Sequence, residues 1–312
     1  MRNTVRRAGF SNATMTGPSA ALFLEYAEAV RPEVEAALER YTQYDADCPP
    51  VLQAAIRHSL LAGGKRLRPL LVLMSARACG CPQAEAMPAA CAVEMVHTYS
   101  LIHDDLPAMD DDQFRRGIPC CHVKFGEANA ILAGDALLAQ AFEVLAGEVQ
   151  PAAVAAACCR ELARAAGASA LVGGQVDDLQ GAGAAGTLSQ LERIHRRKTG
   201  AMFEVSLRLG GRIAQADSPR IAALDDFGKK LGLAFQIVDD LLDIQGDAAS
   251  LGKSVGKDRQ QAKLTFPALL GLDASRRFAE QLIVEAGQVL DPFGTEAECL
   301  QSLAHYVLER NR

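Results

Sequence analysis

The chain has no tryptophan, and aromatic residues make up only 5% of its 312 residues. Sandwiches and barrels draw on aromatic and β-branched strands, so this scarcity argues against an all-β core. No uninterrupted apolar run reaches the ~20 residues that a membrane-spanning helix needs, so no stable membrane insertion is expected. Positive charge is not in excess either: 32 Lys and Arg stand against 38 Asp and Glu, a net charge of −6. That balance supplies no general attraction for nucleic acid, which is not expected as a partner. Nine cysteines include the adjacent pairs Cys120-Cys121 and Cys158-Cys159, yet no C-x2-C zinc spacing occurs. Cys79-Gly80-Cys81 is too tight and has no second pair nearby. With no secretory apolar segment ahead of them, these read as reduced thiols in a cytoplasmic protein.

What is present is a chain 49% apolar, rich in Ala and Leu, which favours helices. From Ala20 onward, stretches of helical periodicity alternate with short punctuation at Cys48-Pro49-Pro50, Gly80-Cys81-Pro82, Arg116-Gly117-Ile118-Pro119, 181–186, Asp217-Ser218-Pro219 and Asp291-Pro292-Phe293-Gly294. No alternating strand pattern, internal repeat or dividing linker interrupts them. The expectation is one all-α domain over 20–312. Residues 1–19, with Arg2, Arg6 and Arg7 among Ser, Thr and Gly, read as a disordered leader. Fraying is likewise expected of Glu309-Arg310-Asn311-Arg312.

Two acidic clusters share one grammar: Asp104-Asp105-Leu106-Pro107-Ala108-Met109-Asp110-Asp111-Asp112 and Asp239-Asp240-Leu241-Leu242-Asp243. Each ends an apolar stretch, where like charges are least welcome. Two carboxylates ~5 Å apart at an effective dielectric of ~20 repel by roughly 3 kcal/mol. A bound cation removes that cost, and hard oxygen ligands point to Mg2+ shared with a phosphate. Residues 89–105 predict a helix delivering Asp104 and Asp105 at its C-terminal end, with His97 seven positions earlier. Pro107 then forces Asp110 onto a loop that folds back. Asp239 and Asp243, and Gln236 and Asp240, are i,i+4 pairs expected to line one helix face. Adjacent Arg115 and Arg116 project in different directions, so each can serve a different anion, and guanidinium forks suit phosphate oxygens. Gly63-Gly64 ahead of Lys65 and Arg68 allows backbone to approach a phosphate. Arg66 reads as an ordinary solvated charge.

The strings Gly63-Gly64-Lys65-Arg66-Leu67-Arg68-Pro69, Ser100 to Asp112, Arg115-Arg116-Gly117, Gly173-Gly174-Gln175, Lys198-Thr199-Gly200, Phe235 to Asp243 and Leu251-Gly252-Lys253 together resemble the trans-prenyltransferases of the bacterial farnesyl diphosphate synthase type. The resemblance spans nearly all of the chain after the leader. It implies an isoprenoid-synthase-type helical bundle around a central cavity, and condensation of isopentenyl diphosphate with an allylic diphosphate, releasing pyrophosphate. Longer-chain synthesis, as in geranylgeranyl diphosphate synthases, is the alternative. By the same resemblance, Asp104, Asp105, Asp110, Asp239, Asp240 and Asp243 bind Mg2+, three ions with substrate present. Lys65, Arg68, His97 and Arg116 fit the isopentenyl diphosphate, while Arg115, Lys198 and Lys253 fit the allylic one. Thr199 and Gln236 stand near the reacting carbons, with Lys198 beside them. Tyr99 and Ser100 floor the hydrocarbon pocket. Helix projection alone favours Ser100, ~40° from Asp104 against ~140° for Tyr99, whereas the resemblance assigns the stop to Tyr99. A homodimer is implied as well.

Overall fold

The computed structural model describes residues 20–181, 186–245 and 264–310, and among these the secondary structure is almost wholly helical. In order come α1 (Ala21–Tyr41), α2 (Pro50–Leu60), α3 (Leu67–Ala78) and α4 (Gln83–Asp104). A small hairpin, β1 (Phe114–Arg115) with β2 (Ile118–Pro119), precedes α5 (Cys121–Phe125), α6 (Glu127–Glu148), α7 (Ala152–Ala166) and α8 (Leu171–Gly181). Then α9 (Leu188–His195) runs through a π-helical turn, Arg196–Gly200, into α10 (Ala201–Ile213), followed by α11 (Ser218–Gln245). The chain closes with α12 (Phe266–Leu270), α13 (Leu272–Val289), a 3-10 turn at Asp291–Ala297 and α14 (Glu298–Glu309). The leader at 1–19, Lys253, residues 182–185, and Asn311 with Arg312 lie outside the described residues.

The punctuation marks the breaks. Pro50 opens α2, where its missing N–H is no loss, and Thr187 with Gln190 forms a capping box at the start of α9. Helix α4 is longer than its expected span, starting at Gln83 with Pro88 inside it. The proline removes one ladder bond near the start, and tertiary burial carries the helix across. Its buried side chains occupy every face, from Ala86 to Ile102, which makes it a core helix. It lies between α3, α6 and α10, and α10 in turn packs on α11, which packs on α13. Phe203 and Phe227 are fully enclosed there, each side chain contributing roughly 2–3 kcal/mol by burial. The two chain ends meet where α1 packs on α14, and Phe23 N donates to Ser302 Oγ at 2.9 Å.

By length and composition α6 is apolar enough to cross a membrane, and among the described residues it is the one such helix. Asp135 and Glu143 interrupt it, and Ala130, Ala133, Leu137, Ala141 and Leu145 are buried against neighbouring helices. All nine cysteines are free thiols.

Candidate active site

The first acidic cluster is built by backbone. After α4 ends, Asp110 N donates to Asp104 O at 2.9 Å, Asp111 N to Leu106 O at 3.1 Å and Asp112 N to Asp105 O at 3.2 Å. The loop therefore folds back on the helix end, as Pro107 required. Asp104 and Asp110 lie within electrostatic reach of the Lys198 ammonium. Burial pushes the Asp104 carboxyl up to about 6, with Lys198 opposing and Asp110 adding to the rise. Burial works against the Lys198 charge too, but Asp178 and then Asp104 outweigh it and hold its pKa above the ordinary value. Asp105 turns the other way. It is 3% exposed and accepts from Arg115 Nε at 2.7 Å and Nη2 at 2.5 Å.

Arg115 comes from the hairpin, whose two-residue turn is Arg116-Gly117, both with positive φ (53° and 79°). Positive φ at both central residues is the type I′ geometry that matches strand twist. It separates the two arginines: Arg115 reaches Asp105, and Arg116 Nη1 donates to Gly63 O at 2.5 Å. Gly64 suits this position because its φ of 125° is one that L side chains rarely adopt, and its lack of a Cβ leaves room for the Arg116 guanidinium. Arg68 and half-buried His97 share this corner. Burial pulls the Arg68 guanidinium down to about 10, against Glu94, and its Nε is enclosed without a partner. Burial and then Arg68 and Arg116 hold His97 well below the ordinary histidine range, so its imidazole is neutral at pH 7. Lys65 is exposed on the same loop. Arg66 is not the solvated charge expected. It is 2% exposed and donates to Glu35 at 2.7 and 2.9 Å and to Glu94 at 2.7 Å.

The opposite wall is the π turn and α11. A π turn inserts one residue into the ladder and so re-aims side chains, often at functional sites. Here it presents Lys198 Nζ to Asp178 at 2.8 Å and the Thr199 hydroxyl to Gln236 Oε1 in a short hydrogen bond. Gly174 on α8 allows this turn to seat, since a Cβ there would stand 2.4 Å from the Lys198 backbone nitrogen. Along α11 the expected single face splits. Gln236 addresses Thr199, Asp239 accepts from Arg310 at 2.9 Å, and Asp240 accepts from Phe266 N at 2.9 Å. The first backbone N–H of α12 lacks a helical partner, and Asp240 satisfies it. Asp243 is buried one turn on.

The two clusters are therefore linked through shared neighbours. The charge of Lys198 acts on Asp104 and Asp110, while its neighbour Thr199 holds Gln236, and Arg68 feels both Glu94 and Asp239. Tyr99 lies buried on α4 with its ring edge-on to His103 at 5.6 Å; Ser100 instead donates to His97 O at 2.8 Å. Four participants escaped the sequence reading: Asp178, Glu94, Arg310, and His195, whose Nε2 lies 3.9 Å from Asp240 and whose ring stacks on Phe266. Asp178 had a signal, three residues after Gln175 on a helical period. The C-terminus does not fray through Arg310, which is 7% exposed, stacks 3.7 Å over the Phe235 ring and donates to Phe235 O at 2.8 Å.

A model of the polyprenyl synthetase family matches residues 49–298. The chain belongs to the polyprenyl synthetase family. It is 50% identical over 246 residues to a farnesyl diphosphate synthase of Geobacillus stearothermophilus, covering 78% of this chain and 82% of that protein. It is 46% identical over 267 residues to a chloroplastic geranylgeranyl pyrophosphate synthase of Catharanthus roseus, covering 84% of this chain and 75% of that one. An apo FPP/GFPP synthase structure from Zymomonas mobilis superposes with a TM-score of 0.84 at 35% identity, covering 93% of this chain and 99% of the other. The all-α bundle is thus the family's fold, and prenyl transfer is the family's chemistry.

Among the described residues no three Asp, Glu, His or Cys side chains converge tightly enough to hold a bare metal ion. Mg2+ shared with a diphosphate keeps waters and takes one or two carboxylates plus phosphate oxygens. The oxygen-only donor set, with Asp104 raised by burial and a neighbouring carboxylate, fits such an ion.

Proposed function

We propose that this prenyltransferase condenses isopentenyl diphosphate with dimethylallyl and then geranyl diphosphate, yielding farnesyl diphosphate and pyrophosphate. The observation that carries the reading is the linkage of Asp104, Asp110 and Lys198 with Thr199, Gln236 and Asp239, which we read as lining one gap. Asp104, Asp110, Asp239 and Asp243 would hold Mg2+, proposed as three ions with substrate bound; Asp105 and Asp240, also in the acidic set, hold their segments in place through Arg115 and Phe266 N. When bound, Mg2+ draws charge from the leaving diphosphate as a Lewis acid.

Lys198 binds the allylic diphosphate on the carboxylate side of the gap, with Arg115 and, outside the described residues, Lys253. Arg116, Arg68, Lys65 and neutral His97 bind isopentenyl diphosphate. The Thr199 hydroxyl and the Gln236 amide oxygen place fixed dipoles where positive charge develops at allylic C1, a preorganised electrostatic contribution. Isopentenyl attack on C1 is followed by loss of a proton to the departing pyrophosphate, the nearest strong acceptor. Tyr99 closes the hydrocarbon pocket below Asp104, close enough that burial and then the Asp104 charge raise its phenol pKa.

We place residues 20–312 in one domain, as a single buried cluster running from Phe23 to Val307 supports. We also expect a homodimer through α5 and α6, where Val123, Ile131 and Leu132 stand exposed. The free thiols suit a cytoplasmic location. Purified protein with Mg2+, isopentenyl diphosphate and each starter, with products sized by chromatography, tests the reaction. A C15 product is expected; C20 favours the second reading, which the likeness to a geranylgeranyl pyrophosphate synthase supports. No condensation refutes both. Tyr99→Ala is expected to move products toward C20 by mass spectrometry, and an unchanged product removes the ruler role.

A further inference from the structure

Three guanidiniums crowd one buried carboxylate behind the isopentenyl diphosphate pocket. Glu94 lies on α4 three residues before His97 and is 1% exposed. It accepts from Arg66 Nη1 at 2.7 Å and lies 3.6 Å from Arg116 Nη2. Its charge also supports Arg68, whose guanidinium is otherwise disfavoured by burial and by Arg116. Arg66, with its side chain fully enclosed, is tied further to Glu35 and to Leu60 O at 2.6 Å. It has no path to a ligand, so its role is to hold Glu94.

The backbone carries a second, independent mark. Arg66 and Arg116 are two of only four non-glycine residues with positive φ among the described residues, at 51° and 53°. Residues bearing a Cβ avoid this region unless their surroundings hold them in it. Both of these strained arginines end on the same carboxylate. The Gly63–Arg66 loop and the hairpin turn, which are distant in sequence, are thus joined through Glu94 and through Arg116 to Gly63 O.

A carboxylate repels a diphosphate, so Glu94 is out of place in this corner if charge is all that counts. We propose that Glu94 is a positioning residue for the isopentenyl diphosphate site: anchored by Arg66, it locks Arg116 against the Gly63 loop so that the pocket's cations are placed before the anion arrives. The proposal rests on the assignment of this corner to isopentenyl diphosphate. Ordering the donors in advance lowers the entropy lost on binding. The gain from order must exceed the repulsion, which gives the test its sign.

The test uses full-length Glu94→Gln, an isostere without the charge, beside the wild type. Isopentenyl diphosphate binding is measured by calorimetry without Mg2+ or allylic substrate, and KM is measured for each substrate. If Glu94 positions Arg116, the dissociation constant and the KM for isopentenyl diphosphate each rise about tenfold, while the KM for geranyl diphosphate moves less than about twofold. Tighter or unchanged binding overturns the proposal, because loss of repulsion alone predicts tightening. An equal rise in both KM values also overturns it, as the sign of a general structural defect. Arg66→Lys, which keeps the charge but loses the fork, is expected to give the same selective rise at smaller size, and it serves if Glu94→Gln does not fold. Glu94→Asp should restore part of the affinity. If wild-type protein condenses substrates normally and only the Glu94 variants fail to discriminate, positioning falls and the pocket assignment stands. If wild-type protein neither binds nor condenses isopentenyl diphosphate, both fall.

Discussion

The two acidic clusters have matching residues but different supports. In the first, the pair Asp104-Asp105 sits at a helix end, and its loop and its arginine come from the next eleven residues. In the second, Asp239-Asp240 lies inside the continuous helix α11, and its partners arrive from α12 and from the end of the chain. In the first pair only Asp105 is tied to a protein donor, Arg115, whereas in the second both members are: Asp239 to Arg310 and Asp240 to Phe266 N. A cation site needs charge at the gap and rigidity behind it, and either local or remote chain can supply the rigidity. The difference lies in what breaks. A local support fails with the cluster itself, whereas a remote one couples the cluster to distant packing.

The largest effect tests the shared half of the comparison. Asp104→Ala and Asp239→Ala should each lower turnover by roughly two to three orders of magnitude while circular dichroism stays unchanged. A near-normal rate from either one breaks the equivalence of the two clusters. The next effect belongs to the first cluster alone. Asp104 has a folded pKa near 6 against 3.8 unfolded, so the folded state binds more protons between those values. The Asp104 contribution to the stability of the metal-free protein should therefore fall as pH rises from about 4 to about 6, by up to about 3 kcal/mol, against an opposite contribution from buried His97 and His195, whose lowered pKa values favour the folded state as pH rises. Urea unfolding of the wild type beside Asp104→Asn at pH 4.5 and 7 checks this: between the two pH values the wild type should lose stability relative to the variant, and a difference between them that does not change with pH removes the Asp104 contribution.

Smaller effects separate the supports. Arg115→Ala leaves the buried Asp105 carboxylate unpaired and should cost about 2 kcal/mol in thermal unfolding, below the full penalty for a buried pair because Arg115 is partly exposed. Arg310→Ala removes the Asp239 pair and the stack on Phe235, and should cost about 1 kcal/mol. It should also raise proteolytic cutting near the C-terminus. If Arg310→Ala proves the more damaging of the two, the remote support is the stronger one.

Much of this was readable before any coordinates. The helical breaks at Pro50, Gly80-Cys81-Pro82 and Asp291–Gly294 follow from residues that cannot continue a helix, and the fold-back to Asp110 follows from Pro107. The divergence of Arg115 and Arg116 was also anticipated, although the type I′ turn that produces it was not, because an Arg-Gly pair is a weak turn signal. Arg66 was misjudged for a different reason. Single charged residues are normally solvated, and nothing near Arg66 in the chain announces Glu35 or Glu94 as partners. The bond from Phe266 N to Asp240 was not foreseeable, because an i,i+4 pattern cannot show that a separate helix start will use one of its carboxylate oxygens.

Residue order alone was enough for the helical class, the oxygen donors and the basic strings around them, since periodicity, proline breaks and side-chain chemistry act over a few neighbours. Which cation meets which carboxylate was decided by packing: Arg66 with Glu94, Lys198 with Asp178, Arg310 with Asp239. Those pairs join residues far apart along the chain, and their energies depend on burial and distance, which exist only once the helices have assembled.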